Sequence, residues 1–152
     1  VMQWVMDFYS GPVGRAVKDS RKVERELPFV FKHRGNPIRG TIDLLFSPDG
    51  SDWHLVDYKS SSVMSKEVQG YEFQMRLYSL AVEAIYGRKP LNATLFFTVP
   101  KKAVPVDISS IAMKDLEDKL ESFFHAQEGG AFPERKGPHC DWCGYSGYCE
   151  KG

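Results

Sequence analysis

The first segment of the chain carries apolar residues at the spacing of a helix. One helical face is formed by Met2, Val5, Met6 and Tyr9. A Ser-Gly-Pro break at 10–12 separates this face from a second short helical pattern, which contains Val13 and Val17. The pattern therefore predicts two short helices within residues 1–22.

Alternating apolar and polar residues then predict three antiparallel strands. Residues 23–32 (VERELPFVFK) lead into a turn at 33–37, and the stretch IRGTIDLLFS follows that turn as a second strand. After a Pro-Asp-Gly-Ser loop, residues 53–59 (WHLVDYK) form the third strand. Short connections of this kind favour a meander.

Helical spacing returns at about residue 66 and runs to Tyr86, where a glycine and two basic residues close the segment. One face of this helix is formed by Tyr71, Gln74, Tyr78, Ala81 and Ile85. Residues 91–99 predict a strand parallel to the third one, and 108–127 predict a last helix. The order predicts an α/β domain with a mixed central β-sheet flanked by helices, followed by a cysteine-bearing loop.

The composition suits one globular domain. The chain has 152 residues, is 42% hydrophobic, and balances 20 basic with 20 acidic residues. Its apolar runs fall far short of the roughly 20 residues that cross a bilayer, so no membrane partner is expected. Because the net charge is zero, a nucleic-acid partner would depend on local basic clusters. These are Lys18, Arg21, Lys22 and Arg25; Lys101 and Lys102; and Arg135 and Lys136.

Two aspartates interrupt apolar strands. Asp43 lies in GTIDLLF and Asp57 in LVDYK, where a buried carboxylate is costly unless it is paired or binds a cation. Since alternate strand residues share a face, Lys59 projects beside Asp57. Two acids and an amine at one place fit a Mg²⁺ or Mn²⁺ site for phosphoryl chemistry. The alternative is a solvated strand edge at which Lys59 merely pairs with one acid.

Three neighbouring residues favour the metal-site interpretation. Glu26, on the preceding strand, adds a third acid that could reach the metal, although a surface ion pair with Arg25 or Arg21 explains it equally well. Gln74 and Tyr78 lie four residues apart on the following helix and share one face. They could orient the lysine or a phosphate, or simply belong to an amphipathic helix.

These segments together resemble a known family. GTIDLLF, LVDYKSS and YEFQMRLYSLA, in that order, resemble the RecB-type nuclease domain of the PD-(D/E)XK superfamily, as found in AddA-type and RecB-type helicase-nucleases and in stand-alone exonucleases. The resemblance runs from about Val23 to Cys149. It implies a restriction-endonuclease-like core at 23–128, with N-terminal helices at 1–22 and a cysteine-rich tail at 129–152. Val56 stands where the superfamily's name puts proline.

The resemblance also implies functional roles. It makes Asp43 and Asp57 the metal-binding acids, Lys59 the catalytic lysine, and Gln74 and Tyr78 the helix motif behind the site. The expected activity is Mg²⁺- or Mn²⁺-dependent hydrolysis of DNA, by exonuclease action on single strands or duplex ends in recombination and repair. The expected partners are DNA and a helicase, on the same chain or in a complex with it. The expected location is the bacterial cytoplasm.

All three cysteines of the chain lie in a Cys-x2-Cys-x5-Cys motif near its end. Cys140, Cys143 and Cys149 leave a tetrahedral metal site one ligand short. Zn²⁺ completed by His139 and an unmetallated tail are both open alternatives. The resemblance implies a [4Fe-4S] cluster whose fourth cysteine lies upstream of Val1. An odd number of clustered cysteines argues against a secreted disulfide framework.

One expected feature is missing. Nucleases of this family usually carry a histidine on an upstream helix, and no histidine lies between Val1 and Arg25. Because the chain starts with Val inside a helical pattern, we expect it to be part of a longer protein. The competing hypothesis is a catalytically inactive nucleic-acid-binding module that retains the nuclease fold. An interaction domain with neither activity leaves the Asp43, Asp57 and Lys59 cluster unexplained.

Overall fold

A computed structural model describes residues 8–60 and 68–130, together with residues 137, 140, 143 and 144. The elements are α1 Pro12–Lys18, β1 Lys22–His33, β2 Asn36–Ser47, β3 His54–Lys59, α2 Val68–Tyr86, β4 Asn92–Phe97, β5 Lys102–Val106 and α3 Ser110–Gly129. Residues 8–10 are also helical. Most of the first predicted helix lies outside the described residues.

The five strands form one mixed sheet in the order β1-β2-β3-β4-β5. The pairs β1/β2, β2/β3 and β4/β5 are antiparallel, and β3/β4 is parallel, with α2 as the crossover between these two strands. The predicted meander and the predicted parallel crossover are both confirmed. The helices on the sheet make this an α/β fold.

Strand β5 was not predicted from the sequence. It follows a turn in which Lys101 has a φ of 54°, and Pro105 pairs with Thr94 of β4. Proline is tolerated here because β5 is an edge strand, where a backbone N–H facing away from the sheet is not needed. The adjacent lysines and the proline hid the strand pattern.

Apolar side chains cover both faces of the sheet within the compact unit Val1–Glu117. On one face, the side chains of α2 pack with residues of all five strands, including Ile42, Leu55, Leu95 and Phe97. On the other face, Val17 of α1 and Phe8 pack against Leu44, Phe46, Val56 and Phe96. The sheet therefore lies between two apolar layers, which fixes the strands that carry the candidate site.

The β1–β2 hairpin changes faces in the middle. Val23 packs on the α1 side, whereas Leu27 packs on the α2 side, although residues four apart on a regular strand share a face. Between them Glu26 has a φ of 48°, a left-handed value that is uncommon outside glycine. On β2 the switch falls between Ile42 and Leu44. The residue at that switch is Asp43.

A second compact unit spans Asp118–Gly152. Its described part contains the last turns of α3, where the Phe123 and Phe124 rings meet edge to face with centroids 5.7 Å apart. Within residues 8–60 and 68–130, no helix has the length and apolar character needed to cross a membrane.

Candidate active site

The sheet opens between β2 and β3 at the candidate site. The β2/β3 ladder ends at the pair Leu44 and Val56, whereas the β3/β4 ladder continues to Lys59 and Phe97. Asp43 is the next residue of β2 beyond the ladder, and its Oδ2 accepts a 2.9 Å hydrogen bond from the backbone N–H of Tyr58. A side chain therefore replaces the backbone ladder at this point.

Asp57 is a buried carboxylate, with only 2% of the residue exposed. Burial raises its pKa; the neighbouring Lys59 partly offsets that increase, and the negative charge of Asp43 adds to it. The Lys59 Nζ lies 2.7 Å from Asp57 Oδ2. Among the described residues, however, this oxygen has no partner with good hydrogen-bond angles. We conclude that the two groups attract as an ion pair and that Asp57 Oδ2 is available to a further ligand.

Lys59 begins a chain of hydrogen bonds that leads to α2. Its Nζ donates to Gln74 Oε1 at 2.9 Å, and Gln74 Nε2 donates to Tyr78 Oη at 2.8 Å. Burial raises the pKa of the Tyr78 phenol, although the hydrogen bond from Gln74 opposes the increase. The amide of Gln74 thus connects the lysine to a neutral phenol and fixes the position of both.

Tyr71 is a site residue that the sequence pattern did not assign to the site. Its ring centroid lies 4.2 Å from Lys59 Nζ, which is the geometry of a cation–π contact. The helical pattern placed Tyr71 on one face of α2 with Gln74 and Tyr78, but no site role was assigned to it. Its spacing of three residues from Gln74, which puts both side chains on one helix face, was the available signal.

The backbone of Lys59 is also anchored. Its carbonyl oxygen accepts hydrogen bonds from the N–H of Thr98 at 2.9 Å and from the Thr98 hydroxyl at 3.3 Å. The lysine is therefore held at both ends. Its carbonyl group is bound by Thr98, directly after β4, and its ammonium lies between β3 and α2. Such anchoring limits the entropy that the side chain would lose on binding an anion.

Glu26 is not brought into this cluster. It is exposed, and its register position on β1 lies opposite Asp43, but it makes no hydrogen bond or ion pair within residues 8–60 and 68–130. Its negative charge instead acts on the Tyr58 phenol, as one cause of a raised pKa there. The other predicted site residues do converge: Asp43, Asp57, Lys59, Gln74 and Tyr78.

The donor set suits a hard cation that keeps part of its water shell. In the part of the chain that the structure describes, no three His, Cys, Asp or Glu side chains form a ready metal cage. Mg²⁺ is commonly held by only one or two carboxylates, with water and substrate phosphate completing its shell. Asp43 and Asp57, with the Oδ2 of Asp57 available to a ligand, match that smaller requirement.

The cysteine motif is described only in part. Cys140 and Cys143 are free cysteines, and the N–H of Gly137 donates to Cys140 Sγ at 3.3 Å. Hydrogen bonds to cysteine sulfur also occur at iron–sulfur sites, where they tune the cluster. Cys149 and His139, the other predicted ligands, lie outside the described residues.

The mixed five-stranded sheet, with two carboxylates and a lysine where two strands part, is that of a restriction-endonuclease-like protein. A family model of the PD-(D/E)XK nuclease superfamily matches residues 6–150. The chain belongs to this superfamily, which confirms the family resemblance found in its sequence motifs. Enzymes of the superfamily generally use divalent metals such as Mg²⁺.

Relatives with this domain include subunits of ATP-dependent helicase/nucleases from two bacteria. The one from Lysinibacillus sphaericus is 30% identical over 107 residues, covering 60% of this chain and 9% of the relative. The one from Bacillus pumilus is 32% identical over 114 residues, covering 59% of this chain and 9% of the relative. The chain thus matches only a small part of the length of these proteins.

The crystal structure of a candidate exonuclease from Eubacterium rectale has a similar fold. It superposes with a TM-score of 0.62 at 13% sequence identity, covering 97% of this chain and 58% of that one. At that identity the similarity concerns the fold alone.

Proposed function

We propose that this chain is a metal-dependent DNA nuclease domain that hydrolyses phosphodiester bonds in recombination and repair. The observation that supports this most is the position of the Lys59 ammonium, 2.7 Å from the buried Asp57 carboxylate and 2.9 Å from Gln74 Oε1, where β2 and β3 part. A lysine with a purely structural role would pair with one carboxylate. Here the buried Asp57 has a raised pKa, and a second carboxylate, Asp43, lies beside it.

Asp43 and Asp57 would hold the divalent ion. Bound there, Mg²⁺ or Mn²⁺ would supply Lewis-acid stabilisation of the phosphoryl oxygens and activation of the attacking water. Asp43 is suited to this role because the hydrogen bond from the Tyr58 N–H fixes one of its oxygens and with it the direction of the carboxylate. Glu26 is left out of the proposed ligand set because it is exposed and lies outside the network of contacts that joins the other site residues.

Lys59 would act as a cation rather than as a base. Its Nζ faces the Asp57 carboxylate, the Gln74 carbonyl oxygen and the Tyr71 ring face, and all three attract positive charge. An ammonium in such surroundings can bind a phosphate oxygen and stabilise the negative charge that develops there during hydrolysis. Gln74 and Tyr78 would be positioning residues that act through Lys59.

The proposed substrate is DNA, cut by exonuclease action on single strands or duplex ends. The names of the relatives, which combine helicase and nuclease, support a helicase partner, and the location proposed with it is the bacterial cytoplasm. Hydrolysis without sequence preference needs mainly phosphate contacts. The chain carries several basic clusters for that purpose, even though its net charge is zero.

Incubation of single-stranded and linear duplex DNA with Mn²⁺ tests the proposal. We expect short products from the wild-type chain, and none from Asp57→Ala or Lys59→Ala with unchanged folding by circular dichroism. Lys119→Ala, at an exposed position of α3, serves as the matched lysine control and should cut normally. DNA that is bound but never cut would favour the inactive binding module instead.

We also propose that the cysteine tail holds a [4Fe-4S] cluster, with Cys140, Cys143 and Cys149 as three of its ligands. The free thiols of Cys140 and Cys143 and the N–H directed at Cys140 Sγ support a metal site of thiolate ligands. Anaerobic purification of the protein tests this. Brown colour with iron and sulfide supports the cluster, whereas a colourless protein with stoichiometric zinc contradicts it.

A further inference from the structure

A cluster of two tyrosines and one arginine lies on the α1 side of the sheet, the face opposite Lys59 and Gln74, and it borders the opening between β2 and β3 through Tyr58. The Phe8 ring packs edge to face against both Tyr9 and Tyr58, with centroid distances of 5.3 and 5.2 Å. Tyr9 is 37% exposed and Tyr58 is 36% exposed. Arg25, an exposed residue of β1, donates from Nη2 to Tyr9 Oη at 3.3 Å.

Tyr58 links this cluster to the acidic residues of the site. It lies between Asp57 and Lys59 in the chain, and its backbone N–H is held by Asp43. The Phe8 ring, which packs against both Tyr58 and Tyr9, and the Arg25 contact with Tyr9 join the three side chains into one cluster.

The proposed nuclease function leaves these three side chains unused. The α1-side core explains why Phe8 is buried, but it does not require two exposed phenol rings with a guanidinium beside them. Exposed aromatic rings beside a basic group are the usual means of binding single-stranded nucleic acid, because every base offers a face for stacking. A planar guanidinium also binds phosphate oxygens in a bidentate manner.

We propose that Tyr9, Arg25 and Tyr58 form a binding site for the nucleotide next to the scissile phosphate of single-stranded DNA. The phenol rings stack on an unpaired base, and Arg25 binds the phosphate that follows it. This inference rests on the proposed nuclease function, because it places the DNA strand by reference to Asp43 and Asp57. It favours single strands, since a base within a duplex presents no free face.

Charge explains why one arginine has a specific place in this arrangement. Asp43, which is held by the Tyr58 N–H, and the exposed Glu26 would repel a phosphate that is not bound to a metal ion. Arg25 supplies the opposite charge beside Tyr9, so the phosphate that lies outside the metal site has a cationic partner there. A protein partner with an acidic segment would find the same cation but would gain nothing from two stacking surfaces.

Fluorescence anisotropy with a labelled single-stranded oligonucleotide in EDTA tests the site without cleavage. We expect Arg25→Ala, Tyr9→Leu and Tyr58→Leu each to raise the Kd about tenfold, and Tyr58→Phe to leave it within about twofold. Arg39→Ala is the matched control, since Arg39 is an exposed arginine at the other end of the β1–β2 hairpin. Its Kd should equal that of the wild type. Thermal unfolding of each variant reports folding.

A blunt duplex of the same length provides the second arm. Loss of affinity should be larger for the single strand than for the duplex in the tyrosine variants, and equal losses would overturn the stacking role. Unchanged Kd values in Arg25→Ala and Tyr58→Leu, with both proteins folded, would overturn the inference as a whole. So would tight binding of an acidic peptide that competes with the DNA at these residues.

The two proposals fail in different ways. Wild-type chain that cuts DNA with Mn²⁺, while the three variants bind DNA normally, overturns this inference and supports the nuclease function. Wild-type chain that binds DNA through these residues but does not cut it overturns the nuclease function and supports the DNA surface.

Discussion

Asp43 Oδ2 accepts a 2.9 Å hydrogen bond from the backbone N–H of Tyr58, just beyond the point where the pairing of β2 and β3 ends. The bond fixes the Asp43 carboxylate against the strand that carries Asp57 and Lys59. It also distinguishes the two acids. Asp43 is partly exposed and held by the backbone, whereas Asp57 is buried and has a raised pKa.

Asp57→Asn should stabilise the chain in the absence of divalent ions while abolishing cleavage. A raised pKa means that the folded protein binds the proton more tightly than the unfolded chain, whose Asp titrates at about 3.9. The protonated Asp57 therefore stabilises the fold at low pH. This stabilisation is lost as the pH rises from about 3.9, the pKa of the unfolded chain's Asp, through the higher pKa of Asp57 in the folded protein. The neutral amide avoids that loss.

Thermal unfolding in EDTA at two pH values measures this effect. The Tm of Asp57→Asn should exceed that of the wild type by a few degrees at pH 7, and the difference should shrink toward pH 4. Such a trade-off between stability and activity is common at functional sites. A variant that is less stable than the wild type at pH 7 would show that the pair with Lys59 outweighs the burial of Asp57.

Tyr71→Leu should lower kcat for DNA cleavage by roughly 3- to 30-fold, because it removes the ring face 4.2 Å from Lys59 Nζ. Tyr71→Phe keeps the ring and should restore most of the rate. Steady-state cleavage of single-stranded DNA with Mn²⁺ provides the comparison. Equal rates for Leu and Phe at this position would mean that the ring serves only to pack against its neighbours.

Gln74→Leu should lower kcat about tenfold or more with little change in KM, because it breaks the contact of Lys59 with α2. Tyr78→Phe removes only the hydroxyl that accepts the Gln74 N–H, so its effect should be smaller. Since the two residues act in series, the double variant should be no worse than Gln74→Leu alone. Additive losses would indicate that Tyr78 acts independently of the amide.

Two glycine variants compare close packing at β2 with helix propensity in α2. A Cβ on Gly40 would lie 2.7 Å from Phe29 Cζ, so Gly40→Ala should destabilise the hairpin by about 1–3 kcal/mol. Gly70→Ala, in α2, meets no atom within 4 Å and should stabilise the chain by about 0.5–1 kcal/mol through helix propensity. Urea unfolding of both variants gives the comparison, and a neutral Gly40→Ala would show that Phe29 moves freely.

The sequence was informative wherever periodicity alone decides the structure. Strand alternation predicted that Asp57 and Lys59 share a face, and the helical period predicted that Gln74 and Tyr78 do; the contacts of Lys59 confirm both. Short connections likewise predicted the meander. These features are local, so they could be derived without knowledge of the tertiary structure.

Other features depend on contacts that no local pattern contains. The left-handed Glu26 turns the hairpin from one face of the sheet to the other, yet glutamate carries no signal for that conformation. The contact of Tyr71 with Lys59 joins α2 and β3, so the periodicity of either element alone does not predict it. Strand β5 was not predicted because it contains Pro105, and proline is tolerated in a strand only at the edge of a sheet.

Calorimetric titration of the chain with Mn²⁺ tests whether Asp43 and Asp57 jointly hold one divalent ion. Wild type and the control Asp52→Asn, which alters an exposed carboxylate paired with Arg88, should each bind one ion at this site. Asp43→Asn and Asp57→Asn should each lose that binding while remaining folded. Unchanged Mn²⁺ affinity in either of these two variants would contradict joint binding of the ion by the two carboxylates.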